Sequence, residues 1–198
     1  MNPAARLPKP YMKPVTLKPQ DVAVLLKLLV WENQTRDETG SVTPQSWTLA
    51  RLASEVYLSV SEVHYVLNQA TTARLIRGSE GVLNRHNLEE FLLHGVAYAF
   101  PAAQGGSVRG LPTYYGAPPL RDFFIAGDAE LPVWPYADGT VRGASFSPLY
   151  SGAPQAAMED AAFYELLALV DVFRGHARTR ERAVATEILK ERISGSQS

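Results

Sequence analysis

The stretch WTLARLASEVYLSVSEVHYVLNQATTARLI, Trp47 to Ile76, holds two helical patterns separated by a break. Leu49, Leu52, Ala53 and Val56 recur at helical spacing and define one buried stripe. Tyr57-Leu58-Ser59 interrupts that period. Ser59 or Ser61 can cap a second helix, because a serine oxygen accepts the free backbone N–H groups of a first turn. Glu62 suits the positive end of that helix. Val63, Val66, Leu67 and Ala70 then face inward, and His64, Tyr65, Asn68, Gln69 and Thr72 face out. Two short helices at a tight turn make the helix-turn-helix pattern.

The outward set carries the chemistry. Side chains that read base edges in a major groove must donate and accept hydrogen bonds, and Asn68 and Gln69 can each form a bidentate pair with adenine. Ser61, His64, Tyr65 and Thr72 can reach phosphates or bases. The same residues would also suit an ordinary amphipathic hairpin with a polar outer face.

Working outward, Asp21 to Glu32 (DVAVLLKLLVWE) predicts a mostly buried helix, with Pro19 at its entry and Val22, Leu25, Leu26, Leu29 and Val30 on a broad apolar face. The segment Asn33 to Pro44, with Gly40, reads as an exposed loop. Before the first helix, residues 1–16 form a proline-rich arm carrying Arg6, Lys9 and Lys13, which either tracks DNA or is simply a mobile terminus. After Ile76, glycines 78 and 81 around Ser79-Glu80 suggest a hairpin. Arg74, Arg77 and Arg85 flank it and could sit on a phosphate backbone, whereas Glu80 at the tip opposes phosphate. Asn84 can cap a helix over Arg85 to Tyr98, within which His94 reads as a packed side chain.

Residues 17–100 resemble the winged helix-turn-helix domains of MarR-type transcription regulators. The resemblance rests on Leu52-Ala53, the turn at Tyr57-Leu58-Ser59, Val63 with Val66, and Ala73-Arg74-Leu75-Ile76 leading into the hairpin. It implies a domain that contacts double-stranded DNA through the helix at 60–73 and works as a homodimer. Two departures stand out: Tyr57 replaces the usual turn glycine, and the exposed helix face has no arginine or lysine before Arg74. Similar folds also serve as protein-interaction modules.

The second half predicts less regular structure. Pro101 to Pro119 is dominated by glycine and proline, and helix is excluded over most of it. Val108, Leu111, Tyr114 and Tyr115 argue for an ordered loop. Arg109 and the tyrosines either form a contact surface or pack on the protein's own core. Leu131 to Tyr150 carries an Asp138-Gly139 hairpin signal, with Pro132 and Pro135 limiting its first arm to an edge. Trp134 and Tyr136 would cover a small core. Residues 151–198 read as a helical pair for packing or dimerisation: an apolar helix from Gln155 to Arg174, stopped by Gly175, and a charged one from Ala177 to Ile193. Arg174, His176, Arg178, Arg180 and Arg182 make the densest basic cluster. SFSPLY and LLALVDVFRGHARTRERA resemble a C-terminal extension of small bacterial winged-helix proteins, some of them antitoxin-like partners of other proteins.

The expected fold is therefore mainly α with a small β wing: residues 17–100 a winged helix-turn-helix domain, 101–150 a Gly/Pro-rich loop and hairpin, and 151–198 a helical pair. Composition agrees with a folded chain, since 46% of the 198 residues are hydrophobic. The formal charge of −1 requires any DNA contact to depend on local clustering rather than bulk charge. The chain has no cysteine, no apolar run of membrane-span length and no signal-like start, which together point to a cytoplasmic protein. No cofactor, metal site or catalytic residue is expected. There is no phosphate-binding glycine loop or nucleophile elbow. Asp160, Glu165 and Asp171 fall on different helix faces with no apolar pocket around them.

Overall fold

The structure is a computed structural model that describes residues 15–35, 48–77, 81–124, 130–175 and 177–195. The arm at 1–14, the loop around Gly40, the hairpin tip with Glu80, and His176 lie outside those residues. The molecule is mainly helical with a small sheet.

Helix α1 (Pro19–Gln34) is the hub: every side chain from Asp21 to Trp31 is buried. An all-round apolar helix must be covered on all sides. Around it lie α2 (Leu49–Glu55), α3 (Val60–Thr72) and, from the far end of the chain, α7 (Ala161–Arg174). One continuous apolar cluster joins Leu25, Leu26 and Leu29 of α1 to Val63 and Val66 of α3 and to Phe163, Leu167 and Val170 of α7. The core therefore runs unbroken across residues 17–100 and 151–195.

Helices α2 and α3 end alike. Leu58 N–H bonds to the Ala53 carbonyl and Tyr57 N–H to that of Ser54. Leu75 N–H likewise bonds to Ala70, and Arg74 N–H to Thr71. These are Schellman closures, whose turning residue is left-handed and usually glycine. Here it is Tyr57 (φ 53°) and Arg74 (φ 61°). The strain at Tyr57 is held by the later half of the chain: its hydroxyl donates to Glu159, and its Cβ packs on Gly152, where an added methyl would lie 2.9 Å away.

After α3 come the two-residue strands β1 (Ile76–Arg77) and β2 (Val82–Leu83), paired antiparallel. Next follow α4 (Arg85–Glu90), a π-helical turn (Phe91–Gly95) and α5 (Val96–Ala99). Asn84 stands at the N-cap position of α4 without capping it. Its amide NH2 donates to the Arg74 carbonyl, and its oxygen accepts from Arg77. His94 is exposed rather than packed.

The largest departure from expectation is β3 (Gln104–Pro112), a nine-residue strand where glycine and proline suggested a loop. It pairs antiparallel with both β4 (Pro132–Pro135) and β5 (Val141–Phe146). β4 and β5 pair with each other in parallel, through Pro132 with Ala144 and Val133 with Ser145, so Asp138-Gly139 does not close the expected hairpin. The glycines permit this crowding. A Cβ on Gly110 would sit 2.1 Å from the Trp134 carbonyl oxygen, and one on Gly143 would sit 2.0 Å from that of Leu131. Tyr114 and Trp134 are buried, so this segment packs on the protein's own core.

The expected 155–174 helix is broken in two, α6 (Ala153–Glu159) and α7, at Asp160, whose carboxylate caps α7 through Phe163 N–H. Asp171 is fully buried, contrary to the sequence reading. It accepts bonds from Thr113, Trp134 Nε1 and Arg174, tying the sheet to α7. Burial raises its pKa against the pull of Arg174. Helix α8 (Thr179–Ser194) closes the fold. The basic cluster at its start is dispersed: Arg174 is buried and Arg182 donates to the Leu93 carbonyl, while Arg178 and Arg180 face solvent.

Candidate nucleic-acid interface

The face of interest belongs to α3. Ser59 proves to be its cap, accepting Glu62 N–H while the Glu62 carboxylate accepts Ser59 N–H, a reciprocal capping box. Hydrogen bonds from Ser59 hold the Glu62 carboxyl below the usual range. Val63, Val66 and Ala70 lock the inner face into the core, and Leu67 is half-buried. This rigid seat leaves Ser61, His64, Asn68, Thr71 and Thr72 exposed in one ridge, with Tyr65 beside it at 43% exposure. None of the chain's described later half covers that ridge.

The ridge is partly pre-ordered. Asn68 Nδ2 lies 3.3 Å from His64 Nδ1, one helical turn away. Thr71 and Thr72 hydroxyls donate to the Leu67 and Asn68 carbonyls, so their oxygens remain as acceptors. Gln69 differs from expectation: it is half-buried, and its Oε1 accepts Thr16 N–H at 3.1 Å.

The extended residues before α1 run along this flank of α3. Thr16 meets Gln69, the Lys18 ammonium sits 5.3 Å from the centroid of the Tyr65 ring, and Gln20 Nε2 reaches Glu62 at 3.5 Å. Lys18, Gln20, Ser61, Glu62 and Tyr65 line a shallow depression of about 190 Å³. Lys18 is thus the cation that α3 itself lacks, delivered from outside the helix. Sequence reasoning missed it because nothing local joins residue 18 to residue 65. The only available signal was its place just before Pro19, where an incoming chain is extended.

Of the three flanking arginines, two are exposed. Arg74 is exposed at the end of α3, its backbone carbonyl anchored by Asn84 and Asn87. Arg77 is exposed on β1, with one nitrogen on Asn84 Oδ1. Arg85 must be removed from the set. Its guanidinium pairs with Glu32 at 3.0 Å and donates to Asn33 Oδ1 and the Ile193 carbonyl. Arg85 therefore joins the ends of α1, α4 and α8 and has a structural role. Glu32 completes the joint by accepting Leu83 N–H from β2.

Elsewhere among the described residues, no group of three or more His, Asp or Glu side chains is placed to hold a metal ion. No helix there is long and apolar enough to cross a membrane. Comparison with protein families, curated proteins and solved structures returns no match.

Proposed function

We propose that this chain is a cytoplasmic, sequence-selective DNA-binding regulator that inserts α3 into the major groove of double-stranded DNA. The observation that carries the reading is the exposed polar ridge Ser61, His64, Asn68 and Thr72 on a helix whose opposite face is locked in the core. A base-reading helix needs that combination of free hydrogen-bonding groups and a rigid seat. Lys18, Arg74 and Arg77 stand around the ridge where phosphates would run, and Tyr65 and Gln69 border it. A homodimer on a palindromic site is the arrangement that suits one such helix per chain.

The second reading is a protein-interaction module of the antitoxin or adaptor kind. It is favoured by the absence of a cation on the ridge itself and by the ionised Glu62 at its first turn. Salt dependence separates the two. Selection from a random duplex library, followed by fluorescence anisotropy at several salt concentrations, should yield a preferred sequence and a steep loss of affinity with salt. Arg74→Ala and Arg77→Ala should weaken binding evenly across sequences, each lowering the salt slope by about one. Asn68→Ala should erase preference at its own base position. A chain that binds no duplex above background, or binds all duplexes alike, would sink the proposal.

A further inference from the structure

Resting on that reading, a finer one follows from the segment at 15–20, irregular to Lys18 and helical from Pro19. Its residues 20, 18 and 16 meet residues 62, 65 and 69 of α3 in antiparallel order. From 16 to 18 two extended residues advance about 6.6 Å, and the four helical residues from 69 to 65 advance about 6 Å. The two advances nearly match, so the Thr16 backbone and the Lys18 side chain meet successive turns of the helix.

The contact at Gln69 has a direction that chemistry dictates. A backbone N–H can only donate. The group 3.1 Å from Thr16 N must therefore be the amide oxygen of Gln69, whichever way an unheld amide might be drawn. Nε2 of Gln69 has no hydrogen-bond partner among the described residues. A free glutamine reads adenine with both ends of its amide at once. Here the strap holds one acceptor lone pair of that amide and so fixes the direction of Oε1, while the NH2 end carries no bond among the described residues.

We infer that the strap makes Gln69 a donor-only reader, so that the base opposite it presents acceptors, guanine N7 and O6, in preference to adenine. Thr16 is then a positioning residue: it touches no base, but its N–H selects which end of Gln69 faces one. This reverses the adenine pairing that the residue type alone suggests.

Duplex selection with the full chain and three variants tests it. Wild type and Thr16→Ala, which keeps the N–H, should both choose guanine at the position sensitive to Gln69. Thr16→Pro removes the N–H on an exposed residue. It should shift that one position toward adenine by about fivefold or more, the low end of what a base-edge contact discriminates, with other positions unchanged. Gln69→Glu keeps an acceptor for Thr16 but has no donor, so guanine should lose its advantage there. An adenine preference in wild type, or a Thr16→Pro profile identical to wild type, overturns the inference while leaving DNA binding intact. Absence of any duplex binding by wild type overturns both.

Discussion

Lys27→Met tests the account of how α2 and the C-terminal half are held to α1. Lys27 lies in the middle of α1 with its side chain only 4% exposed. Its ammonium is 2.8 Å from Glu55 at the end of α2 and 2.7 Å from Asp160 at the cap of α7. Glu55 also takes Arg51 at 2.8 Å and Trp31 Nε1 at 3.2 Å. One buried cation thus joins the first helix of the pair to the hub and to the C-terminal half. Methionine replaces the stem with a flexible apolar chain of similar length, so the main loss is the charge. Breaking a buried pair from one side costs about 3–5 kcal/mol. Glu55 and Asp160 keep 29% and 19% exposure and can rehydrate, which places the expected loss near ~3 kcal/mol, the bottom of that range. The pH dependence sharpens the test. Burial pushes both carboxyls up, but Lys27, helped by Arg51 at Glu55 and by the Phe163 and Ala162 N–H groups at Asp160, outweighs it and holds both below their ordinary ranges. A depressed folded pKa means stability that is fully present above the unfolded value, about 4. That stability is lost as pH falls through the folded one. Without Lys27 most of that contribution disappears. Urea unfolding should therefore show the gap between wild type and variant widest near neutral pH and closing below about pH 4. A gap under about 1 kcal/mol at pH 7, well below the range for a broken buried pair, or one constant down to pH 3, would refute the reasoning.

Two further outcomes follow from backbone geometry. Arg74→Gly removes a Cβ from a left-handed residue, so it should raise stability by roughly 0.5–1 kcal/mol in thermal unfolding even as it weakens DNA binding. A loss of stability would show that the side chain, not the turn, matters there. Gly110→Ala places a methyl 2.1 Å from the Trp134 carbonyl oxygen and should cost about 3 kcal/mol. Gly106→Ala, with open space around it, should change little; equal effects would contradict the close approach of β3 to β4 at Gly110.

What the sequence determined by itself was whatever short-range chemistry settles. The apolar run of α1 demanded burial, the Leu52-Ala53 and Val63-Val66 spacings set the inner stripe of α2 and α3, and a serine at 59 or 61 with Glu62 marked where α3 starts. The outward positions Ser61, His64, Asn68 and Thr72 followed from the same period. Tertiary structure decided everything that depends on partners distant in the chain. It let Tyr57 occupy a glycine position because Glu159 and Gly152 grip it, and it took Arg85 for Glu32. It turned Gly110 and Gly143 from loop signals into close strand contacts, and buried Asp171 among three donors. It also laid Thr16 and Lys18 against α3, which gives Gln69 its direction and the ridge its neighbouring charge. Helical period and capping are local and leave a pattern in consecutive residues. A hydrogen bond between residues 16 and 69 leaves none, because it forms only after the core has brought the two segments together.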